Sequence, residues 1–274
     1  MEATGGLSAA TELLRFRHLL WSLTRRDLQV RYRQSLLGIA WAVLIPLSTT
    51  LVFTFVFTRA VNVVGSMSID MPYVVFAYLG LVPWTFFSTS LNGCVNSLVA
   101  NRGLVTKVYF PREVFPLSAI GSAFADFCVA GVVLAAMMAY FRVFTPWHYR
   151  PPATLLLLPV VVCVQVALTT GLGMLLAMAN LFYRDVRQVF GVAINLWMFV
   201  TCVVYPLPTD GSTLGRIVAA NPMTPIIEAY RDCVVYGRSP FTGRFAVATV
   251  LSTAVLGFGW WCFRRKAHRF AECI

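Results

Sequence analysis

Residues 154–180 read TLLLLPVVVCVQVALTTGLGMLLAMAN, 27 consecutive positions without a charged side chain. A helix needs about 20 mainly apolar residues to cross the roughly 30 Å hydrocarbon core of a bilayer, and this stretch exceeds that. Five further runs of the same character lie on either side of it, at about 36–57, 73–98, 116–141, 189–206 and 245–263. Pro46, Pro83 and Pro159 fall inside three of the six, where a proline frees a carbonyl and bends a helix.

The composition of the whole chain agrees. Of 274 residues, 58% are hydrophobic and 12% charged, with a formal net charge of +11. Ordinary soluble domains are about 25% charged, and a chain this poor in polar groups cannot clothe a soluble core. A soluble enzyme, a disordered chain and a secreted disulfide scaffold are thereby excluded. The seven cysteines (Cys94, Cys128, Cys163, Cys202, Cys233, Cys262 and Cys273) form no C-x-x-C pair. Most lie in apolar runs, where a free cysteine behaves as a small hydrophobe, so they point to neither a metal site nor a disulfide frame. The first 35 residues hold no signal-peptide run with a cleavage site, and the first hydrophobic segment reads as an uncleaved span. The fold expected is an all-α integral membrane protein of six transmembrane helices. A cytoplasmic N-terminal segment (1–35) precedes a six-helix domain (36–263), and a basic tail (264–274) follows it.

The basic excess reads as loop charge facing the cytoplasm rather than as a nucleic-acid footprint. An even number of spans puts both termini on one side. On that side fall Arg15, Arg17, Arg25, Arg26, Arg31 and Arg33, then Arg102, Lys107 and Arg112, then Arg184 and Arg187, and finally Arg264, Arg265, Lys266 and Arg269. These are 15 of the 22 basic residues. The positive-inside rule therefore places both termini in the cytoplasm, with Trp260 and Trp261 as an aromatic anchor beside the last cluster.

Two stretches depart from a plain alternation of helix and loop. Residues 10–34 carry apolar side chains at Leu13, Phe16, Leu20 and Leu23, continuing near Leu28 and Tyr32, with arginines on the other face. That is the pattern of an amphipathic helix lying in the interface, the alternative being a solvated charged arm. Residues 207–244 form the longest connection. Their apolar part, Ile217 to Tyr236, holds Glu228, Arg231 and Asp232 and is broken by Pro222 and Pro225. A full span would strand three charges at about 2.5–3.5 kcal/mol each, so a pair of short re-entrant or interfacial helices is expected.

The chemistry is sparse. His18, His148 and His268 lie outside the spans, and no phosphate-binding G-x-x-x-x-G-K-[ST] loop is present. Asp126 is the one acid inside a span. It reads either as a proton relay or polar lining, or as a residue bonded to a neighbouring helix; the second is favoured because proton-coupled carriers usually show several such groups. Residues 101–116 (NRGLVTKVYFPREVFP) and 180–188 (NLFYRDVRQ) mix exposed aromatics with both signs of charge. They read equally as docking surfaces or as interfacial anchors.

Four segments carry a family resemblance. TRRDLQVRYRQSLLGIAWA (24–42), KVYFPRE (107–113), YRDV (183–186) and NPMTPIIEAYR (221–231) resemble, in order and in position relative to the spans, ABC type-2 permeases that export polysaccharides. The relatives suggested export O-antigen and, more distantly, teichoic acid. The resemblance implies that Lys107, Val108, Tyr109, Phe110, Pro111, Arg112 and Glu113 form one coupling helix on an ATPase subunit. It implies that Tyr183, Arg184 and Asp185 form a second. Arg25, Arg26, Asp27, Arg31 and Tyr32 would lie on the interfacial helix at the gate where substrate enters. Asn221, Pro222, Pro225, Glu228 and Arg231 would belong to paired periplasmic gate helices. Trp41, Trp84, Phe86, Phe87 and Trp197 are candidates for channel aromatics, with lipid-facing or packing roles as the alternative. Gly173 and Ala177 are candidates for span-to-span contact.

The family works as two permeases with two ATPases in the bacterial inner membrane, so ATP and Mg would bind the partner subunit and none on this chain. The substrate implied is a polysaccharide on an undecaprenyl-diphosphate type carrier, with membrane lipid as surroundings and no nucleic acid partner. Competing readings are an ABC type-2 exporter of a drug or other lipid, a membrane glycosyl- or acyltransferase, and a proton-coupled carrier resting on Asp126 alone.

Overall fold

The structure, a computed structural model, describes residues 16–33, 38, 40–60, 71–107, 111–147, 149–206, 213–267 and 270. Every regular element among them is helical. Helix α1 (Arg17–Tyr32) precedes α2 (Ala40–Phe55), which runs on into a π turn at Val56–Ala60. Next come α3 (Tyr73–Ala100), the short α4 (Arg102–Lys107) and α5 (Val114–Phe144). A 3-10 turn at Ala153–Leu157 leads into α6 (Leu158–Phe182), followed by α7 (Val186–Phe199) and α8 (Thr213–Ala220). Helix α9 (Met223–Arg231) continues as a π turn to Tyr236, and α10 (Gly243–Lys266) closes the series.

Five stretches, Ala40–Thr58, Tyr73–Ala100, Val114–Phe144, Ala153–Phe182 and Gly243–Lys266, are long and apolar enough to cross a membrane. They overlap five of the six expected spans. The expected fifth, 189–206, differs: it is helical only through the 14 residues Val186–Phe199, about 21 Å at 1.5 Å per residue. Two downstream side chains explain the stop, Asn221 between the next two helices and Arg231 at the end of the second. Asn221 Nδ2 donates to the Val200 carbonyl (3.3 Å) and to Thr201 Oγ1 (2.6 Å). Arg231 Nη2 donates to the Val203 carbonyl (2.7 Å). Peptide groups that would have continued the helix are thus satisfied elsewhere, and Thr201–Val204 run buried. The Val203 carbonyl rests over Gly80 of α3, where any Cβ would overlap it.

Helix α3 is the hub, with α5 and α6 against it and α2, α7 and α9 also touching it, while α10 lies along α6 and α1 along α5. The α6–α10 crossing is made close by glycine: a Cβ on Gly171 would stand 2.5 Å from the Val255 carbonyl oxygen, and one on Gly259 would strike the Gly171 carbonyl. Gly173 abuts Cys94 of α3, its Cβ position 2.7 Å from Sγ, so the Gly173–Ala177 face packs within the chain. Pro46 and Pro83 lie inside helices. Pro159 instead occupies the first turn of α6 and starts that helix, where its missing N–H costs nothing. Arg264, Arg265 and Lys266 form the last turn of α10, so a boundary at 263/264 falls within a continuous helix. Cations there oppose the negative end of the helix dipole.

Candidate functional site

Leu20 and Leu23 of the expected apolar stripe on α1 pack in one cluster with Val114 and Phe115 of α5, and beside them the face α1 turns to α5 carries a polar seam. Thr24, Asp27 and Arg31 recur at helical spacing, and Ser118, Ser122 and Asp126 answer them every fourth residue along α5. Thr24 sits against Gly121, whose missing Cβ would stand 3.1 Å from Thr24 Oγ1. Ser118 Oγ donates to Asp27 Oδ2 at 3.1 Å, and Arg31 Nη1 donates to Asp126 Oδ2 at 2.5 Å. Tyr32 donates its hydroxyl to Asp126 Oδ1 at 2.7 Å. Asp27 also pairs with Arg26 at 2.9 Å, and Arg26 reaches Asn101 at the end of α3 at 2.7 Å. Asp126 is therefore bonded to a neighbouring helix, the reading preferred above. Burial, then the hydrogen bond to Asp126, pushes the Tyr32 phenol up to about 12, so it is a hydrogen-bond donor at neutral pH. Arg25 projects away from this seam, exposed, as do Trp21 and Val30.

The end of the seam opens into a cavity of about 510 Å³. Arg31, Tyr32 and Asp126 line one part of its wall, and Trp41 and Phe86 line another. Of the five aromatics proposed for a channel, these are the two that share a cavity. Trp84 and Phe87 are enclosed by the chain's own core, Phe87 completely. Trp197 packs edge-on to Phe87 at 5.3 Å and donates to Asn221 Oδ1 at 3.0 Å.

The two loops expected to dock a partner converge on the end of α10. Glu113 is buried and accepts from Arg264 Nε at 2.8 Å; Pro111 is buried, and Arg112 lies 5.8 Å from the Phe270 ring. From the other loop, Phe182 contacts Phe270 at 6.2 Å and receives Lys266 over its ring at 5.7 Å. Beyond it Tyr183, Arg184 and Asp185 stand exposed. Val108, Tyr109 and Phe110 and the side chain of Lys107 lie outside the described residues.

Two short helices, α8 and α9, occupy the stretch where a short-helix pair was expected. Asn221 starts α9: its Oδ1 accepts from the Met223 N–H at 3.1 Å while its amide holds the end of α7. Pro225 is buried, Pro222 and Glu228 are half-buried, and the Arg231 guanidinium lies 3.8 Å over the Phe76 ring. Tyr230 donates to Gln165 Oε1 at 2.6 Å, and Gln165 Nε2 donates to the Pro83 carbonyl at 2.7 Å. One polar relay thus ties α9 to α6 and α3. Gln165, Ser118, Ser122, Asn101 and Thr24 were not anticipated. A lone glutamine in an apolar run and polar residues every fourth position along a span were the signals available.

What the arrangement can do is limited by its inventory. Among the described residues no cluster of histidine, cysteine or carboxylate could hold a metal ion. The features in hand are an arginine-bearing helix, an aromatic cavity, two anchored loops and a bonded short-helix pair.

Residues 18–235 match the ABC-2 type transporter family, and the chain belongs to that family of membrane proteins. It is 34% identical over 267 residues to the O-antigen export system permease protein RfbA of Myxococcus xanthus, covering 96% of this chain and 98% of that one. It is 29% identical over 269 residues to the protein of the same name from Klebsiella pneumoniae, covering 93% and 95%. It is also 24% identical over 217 residues to the polysialic acid transport protein KpsM of Escherichia coli, covering 79% and 81%.

Proposed function

We propose that this chain is the permease subunit of an ATP-driven exporter carrying a lipid-linked polysaccharide of the O-antigen class outward across the bacterial inner membrane. The likeness to the Myxococcus xanthus O-antigen permease along 96% of the chain supports this reading most directly. Six spans with both termini cytoplasmic follow if α7 and the segment after it complete a fifth crossing. Helices α8 and α9 then dip into the outer side as re-entrant gate helices. Two permeases enclose one channel, and two ATPase subunits supply the energy, holding ATP and Mg themselves.

The physics suits such a cargo. Hydroxyls and a diphosphate cannot cross hydrocarbon unaided. Arg25, Arg26 and Arg31 on α1 attract the anionic head at the interface. Sugar faces stack on rings such as Trp41 and Phe86, which tolerate varied sugars because stacking requires no single hydrogen-bond pattern. Arg112 and Glu113 in one loop, with Tyr183, Arg184 and Asp185 in the other, receive the motion of the ATPases. The partly buried Glu113–Arg264 pair carries it into α10, and the Phe182–Phe270 contact carries it to the residue just beyond that helix.

A deletion strain tests the proposal. Loss of surface polysaccharide with accumulation of lipid-linked polymer inside the cell is expected, together with co-purification of an ATPase subunit. Unchanged surface polymer, or no ATPase on pull-down, would refute it. Arg112→Glu and Arg184→Glu should weaken ATPase association while leaving membrane insertion intact.

A further inference from the structure

A second large cavity, about 610 Å³, adjoins the aromatic one across Val82 and Phe127 and runs on between α3, α5 and the 149–158 segment. Its floor along α5 is Gly131, Leu134, Ala135, Met138 and Ala139, a ladder at helical spacing that ends at Arg142. From Phe127 to Arg142 this face rises about 22 Å, more than one leaflet's half of the roughly 30 Å hydrocarbon core. Helix α5 has 31 residues and at about 46 Å overruns that core, so Arg142, near its end, stands at headgroup depth. Arg142 is the one charged residue lining the cavity, and among the described residues no carboxylate pairs with it.

We propose that this groove binds one anionic glycerophospholipid of the bilayer, its phosphate at Arg142 and an acyl chain along the Gly131–Ala139 face. An apolar slot with a single cation at its interfacial end fits that molecule in both shape and charge. A second copy of the chain using the same face would bring no counter-charge, since residues 127–147 contain neither Asp nor Glu. The far wall includes Tyr230 and Val234 of the α9 segment. An acyl chain in the groove therefore packs directly behind the helix that Gln165 holds. The site rests on the export reading only for the leaflet, which that topology makes the outer one.

Gly131 makes the test clean, because a Cβ there meets nothing within 4 Å. The full chain is purified in detergent, offered phosphatidylglycerol or phosphatidylcholine, and weighed by native mass spectrometry. Wild type should retain phosphatidylglycerol about fivefold better, the weight of one basic side chain at an anionic headgroup. Arg142→Gln should erase that preference and Arg142→Lys should keep most of it. Gly131→Leu should lower retention of both lipids with thermal unfolding unchanged; if it fails to fold, Ala135→Met fills the same slot. Equal retention by wild type, or retention indifferent to Arg142→Gln and to slot filling, overturns the proposal. So does displacement of phosphatidylglycerol by undecaprenyl phosphate at equal concentration, or dissociation of the oligomer on slot filling. The readout uses neither ATPase nor polymer, so a deletion strain with normal surface polysaccharide would refute the export reading and leave this ratio standing.

Discussion

Arg31 Nη1 stands 2.5 Å from Asp126 Oδ2, joining two helices whose paired residues are 95 positions apart in the chain. The pair is partly solvated, its side chains 35% and 19% exposed, so its net worth is on the order of 1 kcal/mol. The Tyr32 hydroxyl shares the same carboxylate, and together they hold α1 against α5 beside the Trp41–Phe86 cavity.

Replacing Asp126 separates charge from bonding. Asp126→Asn keeps an acceptor for Tyr32 and should leave surface-polymer output near wild type. Asp126→Ala removes both bonds and should release α1. Maleimide labelling of Thr24→Cys, a position now buried against Gly121, should then rise several-fold. Abolished output in the Asn variant would instead identify Asp126 as a proton-transfer group.

The Tyr32 phenol is raised from 10.0 to about 12, first by burial and second by its bond to Asp126. A raised folded-state value means its contribution is complete below pH 10 and lost as the pH climbs through about 12. Thr24→Cys labelling, taken as a ratio to labelling of the exposed position Trp21→Cys at the same pH so that thiol ionisation and reagent loss cancel, should be flat from pH 7 to pH 9 and increase above pH 10 on this account. Tyr32→Phe should lose that alkaline step while labelling more at neutral pH.

Glu113 is buried and Arg264 half-buried, so removing the cation strands a carboxylate. Arg264→Ala should cost about 3 kcal/mol, the low end for breaking a buried pair because the arginine is partly exposed, read as a lowered melting temperature of the detergent-solubilised protein. The double change Glu113→Gln with Arg264→Ala should recover part of that loss.

Gln165→Leu leaves the Tyr230 hydroxyl without its acceptor in a buried site, at about 1–3 kcal/mol. Combining it with Tyr230→Phe removes both polar groups and should restore part of that stability, and the melting temperatures of the four proteins measure the coupling. Strict additivity would show that the relay does not join α9 to α6.

Gly259→Ala places a methyl on the Gly171 carbonyl, which is backbone and cannot turn aside. A loss of about 1–3 kcal/mol is expected from such overpacking, with a reduced monodisperse peak on size-exclusion chromatography. Gly257→Ala, where a Cβ meets nothing within 4 Å, is the matching control and should be silent.

Much of this protein was legible in one dimension because lipid is an unforgiving solvent. Long uncharged runs specify helices wherever they occur, since the backbone must satisfy itself, and five of six expected spans are found as long apolar helices. Charged and proline residues between Ile217 and Tyr236 specified a short-helix pair for the same reason, and the pair is present as α8 and α9. Partnership is a different matter. That Asp126 bonds Arg31 and Tyr32, that Glu113 meets Arg264, and that Gln165 bridges Tyr230 to Pro83 depend on which helices become neighbours. So does the early end of α7, where Asn221 and Arg231, more than 20 positions downstream, take the Val200 and Val203 carbonyls that would have prolonged it. Hydrophobic length is a property of a segment, so the sequence alone determined the helices; a hydrogen bond across the bundle needs two segments placed within 3 Å, and only the tertiary structure decided which.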